Sequence, residues 1–395
     1  MKVLIVLCDG MADLPIPSLG GRTPLQTART PAMDRLARQG RVGLVRTVPE
    51  HMAPGSDVAN LSVLGYDPAR YYTGRSSLEA LARGIDLGPG DVSWRANLVT
   101  LEGDGPFEDC VLTDFSGGEI SDDLARPLLQ AAAPLMVGFE LCQGISYRNL
   151  LIARAGQTGT VATPPHDIQG RAIGPYLPGG THGETFTRYM RQSYDLLRAH
   201  PLVKSGAAKA NCLWFWGEGT APRLPDFRSL RGLRGGVVCA VDLLKGIGRA
   251  AGMTVSVPPT ATGGMVTDYA AKAEAARALF DRGCELVFLH IEAPDECGHH
   301  GDPAAKVRAI EAIDRDILDP LSRALAASGE PCRVLVLPDH PTPCAIRTHT
   351  ADPVPFLLWD SESSAVGELP FTEDAAAHST LRLASGPALM DLLLK

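Results

Sequence analysis

The stretch KVLIVLCDG, residues 2–10, is an uninterrupted apolar run that ends in Asp9 and Gly10. A short run rich in valine, leucine and isoleucine is typical of a strand buried on both faces of a parallel sheet. The helical pattern TPAMDRLARQG (residues 30–40) comes next, and the strand pattern VGLVRTV (residues 42–48) follows it. The N-terminal part of the chain therefore predicts an alternation of strands and helices.

The same alternation returns in the C-terminal part of the chain. Strand patterns and helical patterns take turns there, and this order predicts an α/β fold with a mostly parallel sheet flanked by helices. The strand patterns are GGVVCAV (235–241), CELVFLHIEAPD (284–295) and CRVLVLPDH (332–340). The helical patterns are LLKGIGRAAG (243–252), VTDYAAKAEAARALFDRG (266–283) and PAAKVRAIEAIDRDILDPLSRALAAS (303–328).

A stretch of different amino-acid composition separates these two parts of the chain. Residues 89–228 are dense in proline and glycine, with shorter strand patterns and one clear helical pattern, ETFTRYMRQSYDLLRAH (184–200). The chain of 395 residues is also longer than one hydrophobic core usually supports. We predict a core domain formed by residues 1–88 and 229–395 and a smaller inserted α+β domain formed by residues 89–228.

Composition and charge limit the classes of binding partner that we expect for the chain. The formal net charge is −8 and no run of lysine or arginine occurs, which argues against nucleic acid. No apolar stretch reaches the roughly 20 residues that span a bilayer, so no membrane partner is expected. The nine cysteines are scattered without CxxC pairs, which favours a reduced, cytoplasmic protein. The sequence is compatible with a small anionic substrate and leaves a homo-oligomer open.

Acidic residues and histidines follow three of the predicted strands. Because parallel strands end at one edge of a sheet, these side chains are expected to converge there. Carboxylates and imidazoles together suit Mn²⁺, Zn²⁺ or Mg²⁺. Taken singly, each group fits a turn or a helix start, whereas three such strand ends together favour a metal site. The groups are Asp9, then Asp295 with His299, then Asp339 with His340 and the later His349.

Ser56 lies in HMAPGSDVANLSVLGYDP, residues 51–68. Pro-Gly-Ser-Asp is ordinary turn chemistry, but VANLSVLG predicts a short helix that begins just after Ser56. A divalent cation lowers the pKa of a coordinated hydroxyl, and a helix start offers backbone N–H groups to a phosphate. Ser56 is therefore a candidate nucleophile. His290, by contrast, is expected to pack within a strand.

The chain resembles the cofactor-independent phosphoglycerate mutases of the archaeal type, within the alkaline phosphatase superfamily. The resemblance covers most of residues 1–100 and 230–360 and implies an alkaline-phosphatase-like core with an inserted lid domain. The stretches that carry it are LCDGMADLP (7–15), LGGRTPLQTARTPAMDRLARQG (19–40), APGSDVANLSVLGYDP (53–68), GIDLGPGDVSWRANLVT (84–100), HIEAPDECGHHGDPAAKVRAIEAID (290–314) and LPDHPTPCAIRTHTADPVPF (337–356).

The resemblance implies two divalent metal ions, with Mn²⁺ expected first and Mg²⁺, Zn²⁺ or Co²⁺ as alternatives, and no need for 2,3-bisphosphoglycerate. It also implies that Ser56 becomes a phosphoserine. The implied ligands are Asp9, Ser56, Asp339 and His340 for one ion, and Asp295, His299 and His349 for the other. The implied substrate-binding residues are Arg95, Asn97, His166, Asp167 and Lys272. For Lys272, a solvated lysine on a helix is the alternative.

The middle of the chain departs from the mutases. VLTDFSGGEIS (111–121) stands where the family carries an arginine-rich stretch, and NCLWFWGEGTAPRLPDF (211–227) replaces an Arg-Gly motif. Arginines that clamp a carboxylate and a phosphate are therefore missing at two places, with Lys204 or Arg223 as substitutes. The WFWGEG form resembles a bacterial subgroup of the family that is proposed to contain homoserine kinases.

The function predicted from the sequence is metal-dependent phosphoryl transfer through phosphoserine, interconverting 3-phosphoglycerate and 2-phosphoglycerate. The first alternative is an ATP-dependent kinase of the homoserine kinase type. A phosphatase or phosphodiesterase on the same core is another. A non-enzymatic binding module would predict decayed ligands, whereas all seven implied ligands are present.

Overall fold

The computed structural model describes residues 1–364 and 366–395. Within them, the strands follow the predicted alternation closely. They are β1 (Lys2–Cys8), β2 (Gly40–Val45), β3 (Val92–Glu102), β4 (Val111–Asp114), β5 (Glu140–Ile145), β6 (Arg148–Ala153), β7 (Thr160–Val161), β8 (Gly179–Gly180), β9 (Cys212–Thr220), β10 (Gly235–Val238), β11 (Thr254–Ser256), β12 (Leu286–Ile291), β13 (Cys332–Leu337), β14 (Val354–Asp360) and β15 (Arg382–Leu383).

The helices of these residues are mostly short. In the described part of the chain, none is long and apolar enough to cross a membrane. They are α1 (Pro24–Thr27), α2 (Pro31–Ala37), α3 (Ser56–Val63), α4 (Pro68–Tyr71), α5 (Arg75–Ala82), α6 (Asp122–Ala132), α7 (Gly183–Leu197), α8 (Pro201–Lys204), α9 (Phe227–Arg231), α10 (Asp242–Ala250), α11 (Tyr269–Asp281), α12 (Ala293–His300), α13 (Pro303–Ala312), α14 (Asp319–Ala327), α15 (Glu373–His378) and α16 (Gly386–Leu394), with a π-helical segment at Ile313–Leu318.

The chain divides into two compact units. The core unit consists of Met1–Tyr72 and Arg223–Lys395, and the inserted unit consists of Thr73–Pro222. The composition of the chain changes only near residue 88, yet α5 lies in the inserted unit because it packs against β3 and β9.

An eight-stranded sheet forms the centre of the core unit, in the order β11-β10-β12-β1-β13-β14-β2-β15. The five strands from β11 to β13 in this order are parallel, and β14 runs antiparallel to both of its neighbours. The predicted, mostly parallel α/β sheet is therefore confirmed. Because β12, β1 and β13 are adjacent and parallel, their carboxyl ends lie side by side at one edge.

The apolar run that opens the sequence forms the middle of this sheet. Residues 3–8 of β1 are completely buried, and the strand is paired with β12 on one side and β13 on the other. A strand enclosed in this way has no face left for polar side chains, which is why the run is uniformly apolar. Asp9, the next residue, is thus the first polar group on leaving the sheet.

Two local boundaries differ from the predicted ones. The short helix predicted to begin just after Ser56 begins at Ser56 itself, with Gly55 as the preceding extended residue. The predicted strand 284–295 ends at Ile291, and α12 starts two residues later with Pro294 in its first turn. Proline is favoured in the first turn of a helix and cannot continue a ladder, so it ends the strand there.

The inserted unit contains a five-stranded antiparallel sheet in the order β4-β3-β6-β5, with β9 paired to the other edge of β3. It has a hydrophobic core of its own, in which α6 and α7 contribute apolar side chains. Trp94, Trp214 and Phe186 are completely buried in this core. The unit therefore holds together by the burial of aromatic side chains.

A buried ion pair in the core unit ties the loop after β1 to the loop after β13. Lys306 of α13 is completely buried and donates to Asp13 Oδ2 at 2.8 Å. The same ammonium donates to the carbonyl oxygens of Ala12 at 3.4 Å and Thr342 at 2.9 Å. Because three acceptors satisfy one buried cation, the pair fixes both loops at the sheet edge.

Replacing Lys306 by methionine leaves the Asp13 carboxylate buried without its cation. We expect Lys306→Met to lower the free energy of unfolding by about 3–5 kcal/mol, measured by urea titration. The control is Arg323→Met, which removes the exposed partner of Asp319 on α14 and should cost at most about 1 kcal/mol. Equal losses in the two variants would contradict the role given to the buried pair.

Candidate metal centre and nucleophile

The carboxyl ends of β1 and β13 bring three ligand-type side chains together. Asp9, Asp339 and His340 are completely buried, and one ligand atom from each lies within 4.8 Å of the others. His340 Nε2 lies 3.7 Å from Asp9 Oδ1 and 3.4 Å from Asp339 Oδ2. These residues form what we call the first ligand set.

The electrostatics of the first ligand set fit a cation. Burial, and then the negative charge of Asp339, raise the pKa of Asp9 well above its ordinary value. Asp9 Oδ1 is buried and accepts no hydrogen bond from the described residues. Two carboxylates crowded in the protein interior, one with an unpartnered oxygen, are strongly unfavourable unless a positive charge joins them. The donor set therefore fits a divalent ion.

A second ligand set lies on α12 and the loop after β13. Its members are Asp295, His299 and His349, whose ligand atoms also lie within 4.8 Å of one another. His299 Nε2 is 3.2 Å from Asp295 Oδ2 and 3.0 Å from His349 Nε2. His299 Nδ1 faces the carbonyl oxygen of Arg347 at 3.0 Å. A bond from Nδ1–H to this carbonyl leaves the Nε2 lone pair for a metal.

The pKa of Asp295 in the second ligand set is shifted in the opposite direction to the pKa of Asp9 in the first. Burial favours the neutral form of Asp295, but hydrogen bonds and charge from His299 and His349 hold its pKa well below the ordinary value. Burial lowers the pKa of His299, and Asp295 outweighs this and raises it to about 9. The His299 imidazole thus acts as a cationic partner of Asp295, a role that a metal ion would take over.

The two ligand sets are neighbours. The ring centroids of His340 and His349, one from each set, are 4.1 Å apart. All six side chains come from the edge where β12, β1 and β13 end, as the strand pattern predicts. The structure therefore brings both implied ligand groups into one centre.

Ser56 belongs to the same centre. Its side chain is 8% exposed, and its Oγ lies 3.1 Å from His340 Nε2. One turn along α3, Asn60 Nδ2 donates to the Ser56 carbonyl at 2.7 Å and to Asp339 Oδ2 at 2.8 Å. Asn60 thereby holds the start of α3 against the first ligand set. Ser56 is the first residue of α3, and the partial positive charge at a helix N-terminus suits an anionic group.

Lys272 is completely buried in α11, so the alternative of a solvated lysine is wrong. Its Nζ donates to the carbonyl oxygen of His290 at 3.1 Å. Burial lowers the pKa of Lys272, while the nearby charge of Glu292 acts in the opposite direction. The ammonium group of Lys272 therefore lies beside the end of β12, the strand that leads into α12.

The remaining predicted substrate-binding residues lie in the inserted unit, around Trp216. The Arg95 guanidinium lies over the Trp216 ring, 4.4 Å from its centroid, and Trp216 Nε1 donates to Asn97 Oδ1 at 3.1 Å. The His166 ring meets the Trp216 ring edge-on at 5.3 Å, and His166 Nε2 lies 3.7 Å from Asp167 Oδ1. The four predicted residues and Trp216 thus form one cluster, which we call the Trp216 cluster.

Comparison with known proteins identifies the family. A model of the 2,3-bisphosphoglycerate-independent phosphoglycerate mutases matches residues 37–203. The enzyme of that name from Methanothrix thermoacetophila is 46% identical, with 100% of both chains covered. A probable enzyme of that name from Geobacter sulfurreducens is 44% identical, again with 100% of both chains covered. The chain belongs to the 2,3-bisphosphoglycerate-independent phosphoglycerate mutase family.

The similarity of the chain to solved structures supports the same family. A protein from Pyrococcus horikoshii superposes with a TM-score of 0.80 at 28% identity, covering 100% of this chain and 96% of the other. The cofactor-independent phosphoglycerate mutase from Thermoplasma acidophilum gives a TM-score of 0.64 at 28% identity, covering 100% and 99%. The resemblance predicted from the sequence motifs is confirmed. The kinase, phosphatase and phosphodiesterase alternatives gain no support from these relatives.

The sequence pattern did not reveal several residues of this candidate centre. His290 does not merely pack in β12, because its Nε2 lies 2.9 Å from Asp9 Oδ2. Thr342 contacts both ligand sets, and Asn60 bonds Asp339. Glu292 faces His290 Nδ1 at 3.6 Å. Asn60 had a signal, its position four residues after Ser56 on one helical face, and His290 had another, its position near the end of a central strand.

The opposed pKa shifts of Asp9 and Asp295 predict opposite effects of removing their charges from the metal-free protein. The pKa of Asp9 is raised by folding, so its charge opposes the folded state, and Asp9→Asn should stabilise by on the order of 1 kcal/mol. The pKa of Asp295 is lowered, so its charge stabilises above its unfolded pKa of roughly 3.9, and Asp295→Asn should destabilise.

Urea unfolding at pH 7.5 with a chelator present measures both effects. Both variants should bind metal less well, so the two substitutions separate stability from ligation. Destabilisation by Asp9→Asn as large as that by Asp295→Asn would contradict the charge balance described for the two ligand sets.

Proposed function

We propose that the chain interconverts 3-phosphoglycerate and 2-phosphoglycerate with Ser56 as the nucleophile. The observation that carries the proposal is the position of Ser56 Oγ, 3.1 Å from His340 Nε2, at the start of α3 and beside two ligand sets. Family membership supports the reaction, and this geometry supports the residue. The isomerisation needs neither ATP nor 2,3-bisphosphoglycerate, since the phosphoryl group stays covalently bound to Ser56 between the two steps.

Two divalent ions fit the centre as proposed cofactors. Asp9, Ser56, Asp339 and His340 would hold one ion, and Asp295, His299 and His349 the other. The mixture of carboxylate oxygen and imidazole nitrogen is compatible with Mn²⁺, Mg²⁺, Zn²⁺ and Co²⁺, and we propose Mn²⁺ first because the family resemblance implies it. When bound, such ions lower the pKa of the serine hydroxyl and offset the charge on the transferred phosphoryl group.

In the first step Ser56 Oγ attacks the substrate phosphorus and loses its proton. The bond between phosphorus and the substrate oxygen breaks, and that oxygen takes up a proton to become a hydroxyl. The phosphoryl group then sits on Ser56, at the first turn of α3. Helix N-termini stabilise phosphate through their free N–H groups and their partial positive charge.

In the second step the glycerate offers its other hydroxyl to the phosphoserine. This hydroxyl gives up its proton as its oxygen bonds to phosphorus, the bond to Ser56 Oγ breaks, and Ser56 Oγ takes up a proton, which restores the serine. We assign the proton transfers at the glycerate hydroxyls to His166 or Asp167. The assignment rests on their position side by side, since His166 Nε2 lies 3.7 Å from Asp167 Oδ1 and both groups can donate or accept a proton.

Arg95 and Asn97 are the proposed contacts to the anionic groups of the substrate, and Lys272 remains a proposed phosphate contact. Arg95 is 5% exposed, and its Nε lies 3.0 Å from Glu79 Oε2. A buried guanidinium held by one carboxylate and by the face of Trp216 is pre-oriented to bind a second anion. The Trp216 cluster thereby takes the place of the arginines that the middle of the chain lacks.

The location and assembly proposed for the enzyme follow from its thiols and substrate. All nine cysteines are free, and eight are buried. Such a set of thiols supports a reducing compartment, and we place the enzyme in the cytoplasm. Its partner is a small phosphorylated molecule, and a homo-oligomer is compatible with the chain.

Phosphorus NMR tests the proposal directly. The chelator-treated protein, reloaded with Mn²⁺, is mixed with 3-phosphoglycerate in the absence of ATP and 2,3-bisphosphoglycerate. We expect 2-phosphoglycerate to appear, and Ser56→Ala to lower kcat by about 10⁴–10⁶-fold. Ser62→Ala on the same helix is the matched control and should retain activity.

Three outcomes would contradict the proposal. Full activity in Ser56→Ala would exclude the phosphoserine route. Release of free phosphate alone would indicate a hydrolase. Phosphohomoserine formed from ATP and homoserine, without isomerisation of phosphoglycerate, would restore the kinase alternative.

The proposed role of Arg95 predicts a change in substrate affinity. Arg95→Lys keeps the charge but loses the planar fork, so KM for 3-phosphoglycerate should rise about 10–100-fold while the metal content stays the same. Initial rates across substrate concentrations measure this effect. Arg126→Lys, at an exposed helix position in the same unit, serves as the control. An unchanged KM in Arg95→Lys would contradict the role.

A further inference from the structure

Thr342 lies in the loop after β13, two residues beyond His340, and is completely buried. Its backbone N–H donates to the carbonyl oxygen of Ala12 at 3.3 Å, and its own carbonyl accepts from Lys306 Nζ at 2.9 Å. The residue is thus fastened by its backbone to the loop that carries Asp9 and to α13. Its side chain has one fixed place in the centre.

The hydroxyl of Thr342 touches both ligand sets. Thr342 Oγ1 donates to Asp295 Oδ1 at 2.5 Å, and it lies 3.3 Å from His340 Nδ1. Asp295 belongs to the second ligand set and His340 to the first. Among the described residues, this hydroxyl therefore joins the two sets through a single atom.

The direction of these hydrogen bonds follows from the donor chemistry. Ionised Asp295 can only accept, so the single hydroxyl hydrogen of Thr342 goes to it. Thr342 Oγ1 must then accept from His340, which places the imidazole hydrogen on Nδ1. His340 Nε2 is left with its lone pair pointing toward Asp9, Asp339 and Ser56, as metal ligation requires.

The surrounding backbone is shaped around this threonine. A Cβ on Gly10 would lie 2.5 Å from Thr342 Oγ1 and 2.6 Å from Asp295 Oδ1. A Cβ on Gly298 would lie 2.8 Å from Thr342 Cγ2. Gly10 follows Asp9, and Gly298 lies on α12 between Asp295 and His299. Two ligand-bearing segments thus close on Thr342 at positions where only glycine fits.

We propose that Thr342 is a positioning residue that orients one ligand of each set and makes the two metal sites depend on each other. It keeps the Asp295 carboxylate turned toward His299 and His349, and it fixes the His340 tautomer. The inference rests on the proposed function, because it presumes that both ligand sets bind divalent ions. Loss of this one hydroxyl therefore weakens both sites rather than one.

The test is metal binding, measured by isothermal titration of chelator-treated protein with Mn²⁺. Thr342→Val keeps the shape and removes the hydroxyl, so we expect both sites to lose affinity by ~10–100-fold, the range found for partners of metal ligands. Thr342→Ser keeps the hydroxyl and should bind two ions with wild-type affinity. The visible absorption of the Co²⁺-loaded proteins provides a second readout, since altered ligation changes the spectrum.

Matched variants separate the hydroxyl from general packing. Thr30→Val replaces a buried threonine of the core unit whose hydroxyl makes no hydrogen bond among the described residues, and it should bind as wild type does. If Thr342→Val does not fold, Thr342→Ala compared with Thr342→Ser supplies the same contrast. Circular dichroism of the metal-free proteins establishes that each variant is folded.

The possible results are distinct. Weakened binding in Thr342→Val at both sites, with rescue in Thr342→Ser, supports the inference. Wild-type affinity in Thr342→Val, loss at one site only, or equal loss in Thr342→Ser overturns it. Failure of the wild-type protein to bind two ions would contradict the metal assignment in the proposed function, and the inference would fall with it.

Discussion

The structure depends on one electrostatic constraint, the crowding of Asp9 and Asp339 at the ends of two adjacent parallel strands. Both carboxylates are completely buried, and the pKa of Asp9 is raised by that burial and by Asp339. Such an arrangement opposes folding unless positive charge enters it. We propose that phosphoryl transfer is the use of this arrangement, since the chain belongs to a family of phosphoglycerate mutases.

The surrounding side chains orient the two carboxylates by hydrogen bonds but do not neutralise their charge. In two ligand residues, one polar atom contacts a neutral side chain and the other polar atom remains for the metal site. His290 Nε2 contacts Asp9 Oδ2, and Thr342 Oγ1 contacts His340 Nδ1. Asn60 ties Asp339 to the helix that begins at Ser56. Hydrogen bonds therefore connect Ser56 with one member of each ligand set, with His340 directly and with Asp295 through Thr342. This network is pre-organised because β12 and β13 fix where its segments begin.

Much of this was predictable from the sequence, and the reasons differ between parts. The apolar run before Asp9 indicates a central parallel strand, and parallel strands share an edge, so the ligand groups could be placed together. Strand ends were less predictable, since Pro294 rather than hydrophobicity ends β12. His290 and Thr342 were missed because their role depends on which strands are neighbours, and one strand pattern alone does not reveal this. Trp216 was missed because its contacts with Arg95 and Asn97 cross between strands far apart in sequence.

The most direct test of this account is anomalous diffraction from crystals of the protein soaked in Mn²⁺. We predict two strong peaks, one among Asp9, Ser56, Asp339 and His340 and the other among Asp295, His299 and His349. A single peak, or peaks away from these side chains, would contradict the claim that the buried carboxylates at the sheet edge exist to hold two cations.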